Sequence, residues 1–323
     1  AHAVAAMMFP IITAIALSLE LKPGESSYGR SLFLGMAWGC GIGGVATFLG
    51  GARAPLAIGM LHDTTGESIG FFKWMLATLP AVITMLAVTY WLLIVLFPAE
   101  IRDVKKARTL LVNRTACIGK MKRKELSIGI LMIATIFSWI CFGEKFGLAN
   151  IALASVVIAF VFRLIRWKEV EEDVNWGLIL MYGGAICLGF AMGKTGATRW
   201  LVDISNIGLI QSPFVMIMAI SLFAIFLTQA MSNTAVVALL MPITIGVAID
   251  FSINPIIMTL AVTVPSGLAF ILPMGTPAVA IAHSSGFITP GNAFKGGLIL
   301  KIVSWILFNF FAYYYWPLLG LRL

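Results

Sequence analysis

Three short segments of the 323-residue chain set neutral oxygens and backbone breakers inside otherwise apolar sequence. They are Thr228-Gln229-Ala230-Met231-Ser232-Asn233-Thr234, Leu272-Pro273-Met274-Gly275-Thr276-Pro277 and Gly50-Gly51-Ala52-Arg53-Ala54-Pro55. Proline removes a backbone donor and breaks a helix, so the second and third segments free carbonyls that can hold a cation. The first adds hydroxyl and carboxamide oxygens. Half-helix N-termini created at such breaks favour negative charge. Together these groups suit a hard cation held beside an anion.

The charged residues sharpen that reading. All fourteen carboxylates (Glu20, Glu25, Asp63, Glu67, Glu100, Asp103, Glu125, Glu144, Glu169, Glu171, Glu172, Asp173, Asp203 and Asp250) fall in loops or at the ends of apolar runs. Proton relays in membranes use buried Asp, Glu or His. With no carboxylate at depth, a neutral-oxygen sodium site is the better expectation than coupling by protonation. His2 and His283 are the remaining proton candidates, and a lone His beside a packed helix is read first as structural. His283-Ser284-Ser285 has no acid to complete a nucleophilic set, which leaves an intramembrane enzyme as a distant alternative. Arg53 is the one strongly basic side chain inside a break. It serves either as a bidentate partner for an anion or as a side chain snorkelling to the interface.

These segments need elements to position them. The chain is 60% hydrophobic and 11% charged, against about 25% charged in soluble domains, so it belongs in a bilayer. Apolar runs of spanning length, about 17 to 25 residues, cover 31–49, 71–97, 126–142, 147–165, 176–193, 254–288 and 297–320, with interrupted ones at 3–19 and 212–250. The polar cluster between the two apolar arms of 212–250 predicts a re-entrant hairpin with its tip at the site, since irregular backbone survives at membrane depth only where it is buried in protein or lines a cavity.

The net charge of +8 does not mark a nucleic-acid partner, because the basic residues crowd into loops. Residues 98–125 hold nine of them (Arg102, Lys105, Lys106, Arg108, Arg114, Lys120, Lys122, Arg123 and Lys124), which makes this loop cytoplasmic by the positive-inside rule. Arg163, Arg166 and Lys168 mark a second cytoplasmic loop, while the acidic loop 62–68 falls outside. The Asn113-Arg114-Thr115 sequon then never meets the glycosylation machinery. Cys40, Cys117, Cys141 and Cys187 lack metal-binding spacing.

Residues Ala3–Ile11 can be laid over Ala235–Ile243 with five identities in nine positions. Gly50-Gly51-Ala52 follows the first copy at about the distance at which Gly275-Thr276-Pro277 follows the second. Paired features in one order indicate duplication, and five crossings between the copies invert the second, as in many secondary transporters. The competing reading takes the Gly/Pro pairs as packing kinks. On the duplication reading a counterpart of 126–234 is expected upstream of residue 1, so the first repeat is incomplete and about ten or eleven crossings make up the whole.

At Ser232-Asn233-Thr234, followed by Ala-Val-Val-Ala-Leu-Leu-Met-Pro-Ile, the chain resembles the divalent-anion/sodium symporter family of dicarboxylate, citrate and sulfate carriers. Asn175-Trp-Gly-Leu-Ile-Leu-Met-Tyr-Gly-Gly184, Lys194-Thr-Gly196 and Ala269-Phe-Ile-Leu-Pro-Met-Gly-Thr-Pro277 extend the likeness over nearly the whole chain. The resemblance implies an all-α polytopic membrane protein, an inverted-repeat secondary transporter with re-entrant hairpins and broken helices. It implies sodium-coupled, elevator-type transport of small divalent anions such as succinate or sulfate by a homodimer in the cell (inner) membrane. By motif position, sodium is held at Thr228, Met231, Asn233, Gly275 and Gly50, and the anion at Ser232, Asn233, Thr234, Thr276, Pro277 and Gly51, with Arg53 the basic candidate beside them.

The implied parts are the remainder of the first repeat (1–97), the basic cytoplasmic loop (98–125), scaffold helices of the second repeat (126–193), an amphipathic connector (194–211) and the second hairpin, broken helix and last span (212–323). Two departures matter. The family's Gly-Thr-Pro-Pro-Asn reads Gly50-Gly-Ala-Arg-Ala54, and its second Thr-Pro-Pro-Asn reads Thr276-Pro-Ala-Val279. A proton-coupled or uncoupled permease of the same fold is therefore the alternative.

Overall fold

A computed structural model describes residues 2–101, 105–107, 109, 111–112, 121–173, 176–197, 200 and 212–321. Ala1, the sequon at Asn113, Cys117, four basic residues of the 98–125 loop (Arg102, Arg108, Arg114 and Lys120) and residues 201–211 of the expected connector lie outside the described residues. Among those described the regular structure is helical: α1 His2–Ser18, α2 Ser27–Gly43, α3 Arg53–Thr65, α4 Phe71–Leu96, α5 Arg123–Phe146, α6 Leu148–Val161, α7 Trp167–Asp173, α8 Trp176–Thr195, α9 Pro213–Leu227, α10 Asn233–Asp250, α11 Pro255–Ser266, α12 Pro277–Ser284 and α13 Pro290–Tyr314.

Among the described residues four stretches are long and apolar enough to cross a membrane: Phe71–Leu96, Arg123–Gly143, Asn233–Asp250 and Pro290–Tyr314. The expected run at 254–288 is not one crossing. It divides into α11 and α12 around a ten-residue break, 267–276. The run at 31–49 divides in the same way, with α2 and α3 flanking the nine-residue break 44–52. Local chemistry sets these boundaries. Pro213, Pro255, Pro277 and Pro290 stand in the first turns of α9, α11, α12 and α13, where the missing N–H costs nothing. Ser26, Ser232, Asn254 and Thr276 cap α2, α10, α11 and α12 by accepting backbone N–H bonds.

The two halves exchange partners. α1 packs on its own neighbour α2 and also on α12, across the sequence; α10 packs on its own neighbour α11 and also on α3. Likewise α2 meets α12 while α11 meets α3. Such reciprocal pairing is what a pseudo-twofold between residues 2–96 and 233–314 requires, and it matches the repeat read from Ala3–Ile11 and Ala235–Ile243. Pro10 in α1 and Pro242 in α10 occupy the same place in their copies. Each half contributes to a single core, with Trp38, Trp74, Phe270 and Trp316 fully buried.

At the end of the molecule that carries the 98–125 loop, three hydrogen bonds tie the turn after α1 to the segment after α4. Lys106 Nζ lies 2.9 Å from a Glu20 carboxylate oxygen. Glu100 accepts from Ser26 Oγ at 3.0 Å and from the backbone N–H of Ser27.

Candidate functional site

Breaking a helix inside a bilayer leaves carbonyls that must find donors in the protein, and the described residues supply them. In the first break Gly44 O accepts from Arg53 Nη2 at 2.7 Å, Val45 O from Trp74 Nε1 at 3.2 Å and Ala46 O from Thr78 Oγ1 at 3.1 Å. In the second, Phe270 O accepts from Trp38 Nε1 at 3.0 Å, which locks the first broken helix onto the second.

The remaining carbonyls of the second break face the tip of the α9–α10 hairpin. Thr228 is fully buried at the end of α9, and its hydroxyl donates to Ser266 O at 2.8 Å. The Asn233 carboxamide, at the first turn of α10, sits 2.6 Å from that hydroxyl. With its NH2 turned toward the surrounding acceptors it donates to Ser266 O at 2.9 Å and Gly275 O at 3.0 Å. Three acceptors from three separate segments therefore share one electropositive group. A sodium ion with the carboxamide turned to present Oδ1 satisfies the same three, so the residues fit a hard cation.

Close backbone approach makes this convergence possible. A Cβ on Gly275 would stand 2.5 Å from Thr228 O and 2.8 Å from the Ala269 Cβ, so only glycine lets the break reach the hairpin tip. Gly50 is packed as tightly, against the backbone of Gly44 in its own break.

Four half-helix ends thus meet in one place: the carboxyl ends of α9 and α11, at Thr228 and Ser266, and the amino ends of α10 and α12, at Asn233 and Thr276. Ser232 Oγ accepts from Ala235 N and Thr276 Oγ1 from Val279 N. The remaining first-turn N–H groups of two helices attract negative charge, and the carboxyl ends attract positive charge. Ser232 and Pro277 are exposed, Asn233 and Thr234 half-buried, and Thr276 buried. Met231 is half-buried against the core at the tip of the same hairpin.

The structure brings Thr228, Asn233 and Gly275 into direct contact and links them to the first break through Arg53. That guanidinium does not snorkel. Arg53 is 5% exposed, and a Cβ on Gly267 would lie 2.6 Å from its Nη2, one on Gly51 3.1 Å from its Nη1.

Sequence reasoning passed over four residues here. Ser266 contributes only a carbonyl, and Gly267 only room for Arg53, so neither leaves a side-chain signature. The polar atoms of Gln229, beside Thr228, are buried with no hydrogen-bond partner among the described residues. Lys301 lies 4% exposed within α13, its Nζ 4.7 Å from the Phe226 ring centre. Its signal was legible, since a lone lysine inside a long apolar run is costly and marks function more often than chance.

A family model described as "Sodium:sulfate symporter transmembrane region" matches residues 1–322. The chain is similar to the sodium-dependent dicarboxylate transporter SdcS of Staphylococcus saprophyticus, with 27% identity over 96% of this chain and 65% of that protein. It is similar also to the protein of that name from Staphylococcus aureus, with 26% identity over 90% of this chain and 59% of that one. The chain thus spans about 60 to 65% of the length of these relatives.

Proposed function

The chain belongs to the sodium:sulfate symporter family, a family of multi-pass membrane transporters rather than enzymes, and from that premise we propose that the protein carries small divalent anions into the cell with sodium. The cargo class is dicarboxylates such as succinate, or sulfate. The observation that carries this reading is the meeting of two helix carboxyl ends and two helix amino ends at Asn233, which supplies adjoining places for a cation and an anion.

In the proposed assignment Thr228, Met231, Asn233 and Gly275 hold sodium, and Ser232, Asn233, Thr234, Thr276, Pro277 and Gly51 face the anion. Arg53 adds positive charge behind the anion. Gly50 lends its backbone to a second cation place, in the first break. Residues 212–323 with 1–97 form the moving body and 126–193 the fixed scaffold of an elevator-type homodimer in the cell (inner) membrane. Loop 98–125 is cytoplasmic.

The test reconstitutes the protein that carries this chain, at its natural length, in proteoliposomes. Radiolabelled succinate and sulfate uptake is compared under imposed sodium, potassium and proton gradients. Uptake driven by inward sodium and lost in Asn233→Ala supports the reading. Uptake driven by protons and indifferent to sodium refutes it in favour of a proton-coupled permease.

A further inference from the structure

The two breaks solve one problem with different chemistry. In the second, the carbonyl that ends α11, Ser266 O, is held by neutral donors, the Thr228 hydroxyl and the Asn233 amide. Neutral donors give way to a cation, because a sodium ion satisfies the same oxygens. In the first, the carbonyl that follows α2, Gly44 O, is held by a charged donor at 2.7 Å. The same guanidinium lies on Gly267, the residue that follows α11.

Arg53 therefore sits between the carboxyl ends of two half-helices. Each such end carries roughly half a negative charge, so the pair balances about one positive charge. No carboxylate lies within ion-pair distance of Arg53 among the described residues, and Gly44 O is its hydrogen-bond acceptor there. A charged group buried to 5% exposure without a counter-ion is expensive. The two helix ends are what makes it tenable, and they are the kind of place where a carrier's coupling cation is bound.

We propose that Arg53 is a built-in cation that takes the place of one coupling sodium at the first break, leaving the Thr228–Asn233–Gly275 site as the exchangeable sodium site of this chain. The guanidinium travels with the protein and is never released. The carrier then couples to one sodium fewer than a chain with a neutral residue at 53. This inference rests on the sodium-coupled reading above and deepens it.

The natural-length protein is reconstituted as wild type, Arg53→Lys and Arg53→Gln, and succinate uptake is measured against external sodium. Arg53→Lys, which keeps the charge, shows the wild-type sodium slope. Arg53→Gln, which keeps a donor for Gly44 O but no charge, needs one sodium more, so its dependence steepens and its half-saturating sodium rises. An unchanged slope in Arg53→Gln overturns the proposal, as does a raised succinate KM at unchanged slope, which makes Arg53 an anion ligand alone.

Should Arg53→Gln fail to fold, thermal unfolding against sodium decides the matter. Asn233→Ala is expected to abolish all sodium-dependent stabilisation, because the first break carries its own cation. Persisting stabilisation at the wild-type sodium slope overturns the proposal. Wild-type uptake indifferent to sodium refutes the functional reading itself, an outcome separate from either of these.

Discussion

At Asn233 one carboxamide answers two carbonyls and a hydroxyl from three different segments; truncating it leaves Ser266 O with the Thr228 hydroxyl but strands Gly275 O, at about 1 to 3 kcal/mol. Asn233→Ala is expected to weaken sodium binding by well over roughly tenfold, each decade being about 1.4 kcal/mol, so that sodium-driven uptake is lost. Gly275→Ala tests the close approach by addition. Its methyl meets Thr228 O and the Ala269 Cβ, neither at the end of a flexible side chain. Overpacking of about 1 to 3 kcal/mol should lower the melting temperature together with sodium affinity, whereas a site far from Gly275 would leave sodium affinity unchanged. At this scale the sequence was most informative where side chains do the work. Thr228 and Asn233 were readable because their oxygens are unusual in apolar surroundings. Ser266 was not, because a carbonyl has no letter of its own, and the pairing of Arg53 with Gly267 joins residues more than two hundred positions apart.

The helices show where local rules suffice and where they stop. Four prolines in first helical turns and four side-chain caps set helix starts around the breaks and the hairpin, and the polar cluster 228–234 and the prolines of 272–277 predicted that 212–250 and 254–288 would be interrupted. What they did not supply was the length of each gap, since that depends on the partner across it, as with Trp38 reaching Phe270 O. The α2 amino end offers an element-scale test. The Glu100 carboxyl is partly desolvated, which would raise its pKa. Bonds from the Ser27 N–H, the Ser26 hydroxyl and the Tyr28 N–H, with the nearby charge of Arg30, more than offset this and hold it below the usual carboxylate value. A depressed folded-state pKa contributes stability above the unfolded value and loses it as pH falls through the folded one. Thermal midpoints of wild type should therefore fall on acidification below about pH 4.5, near the ordinary glutamate value. Glu100→Gln should start lower at neutral pH and respond less to acid; equal slopes for the two proteins would remove Glu100 from the cap.

For the whole molecule, the charge pattern makes a prediction about sidedness. Single cysteines at Lys122 and at Glu67, introduced into a protein freed of its native cysteines, should react with a membrane-impermeant maleimide from opposite faces, Lys122 from the cytoplasm. Labelling of both from one face would reverse the order of crossings. The repeat was legible from nine residues of weak identity, but the exchange of partners between its copies was not, since no local pattern states which helix α1 or α10 will lie against. That exchange bears on how the protein is made. The ribosome delivers α1 to α4 into the membrane before α10 to α12 exist, and α1, α2 and α3 each rest against one or more of those later helices. During synthesis the faces of α1, α2 and α3 that later carry those contacts must wait uncovered, against lipid or a chaperone, until the second half arrives to close over them. Biogenesis is then an all-or-none event set by the last helices to emerge, and a ribosome stalled before residue 255 leaves a substrate for quality control rather than a half-built carrier.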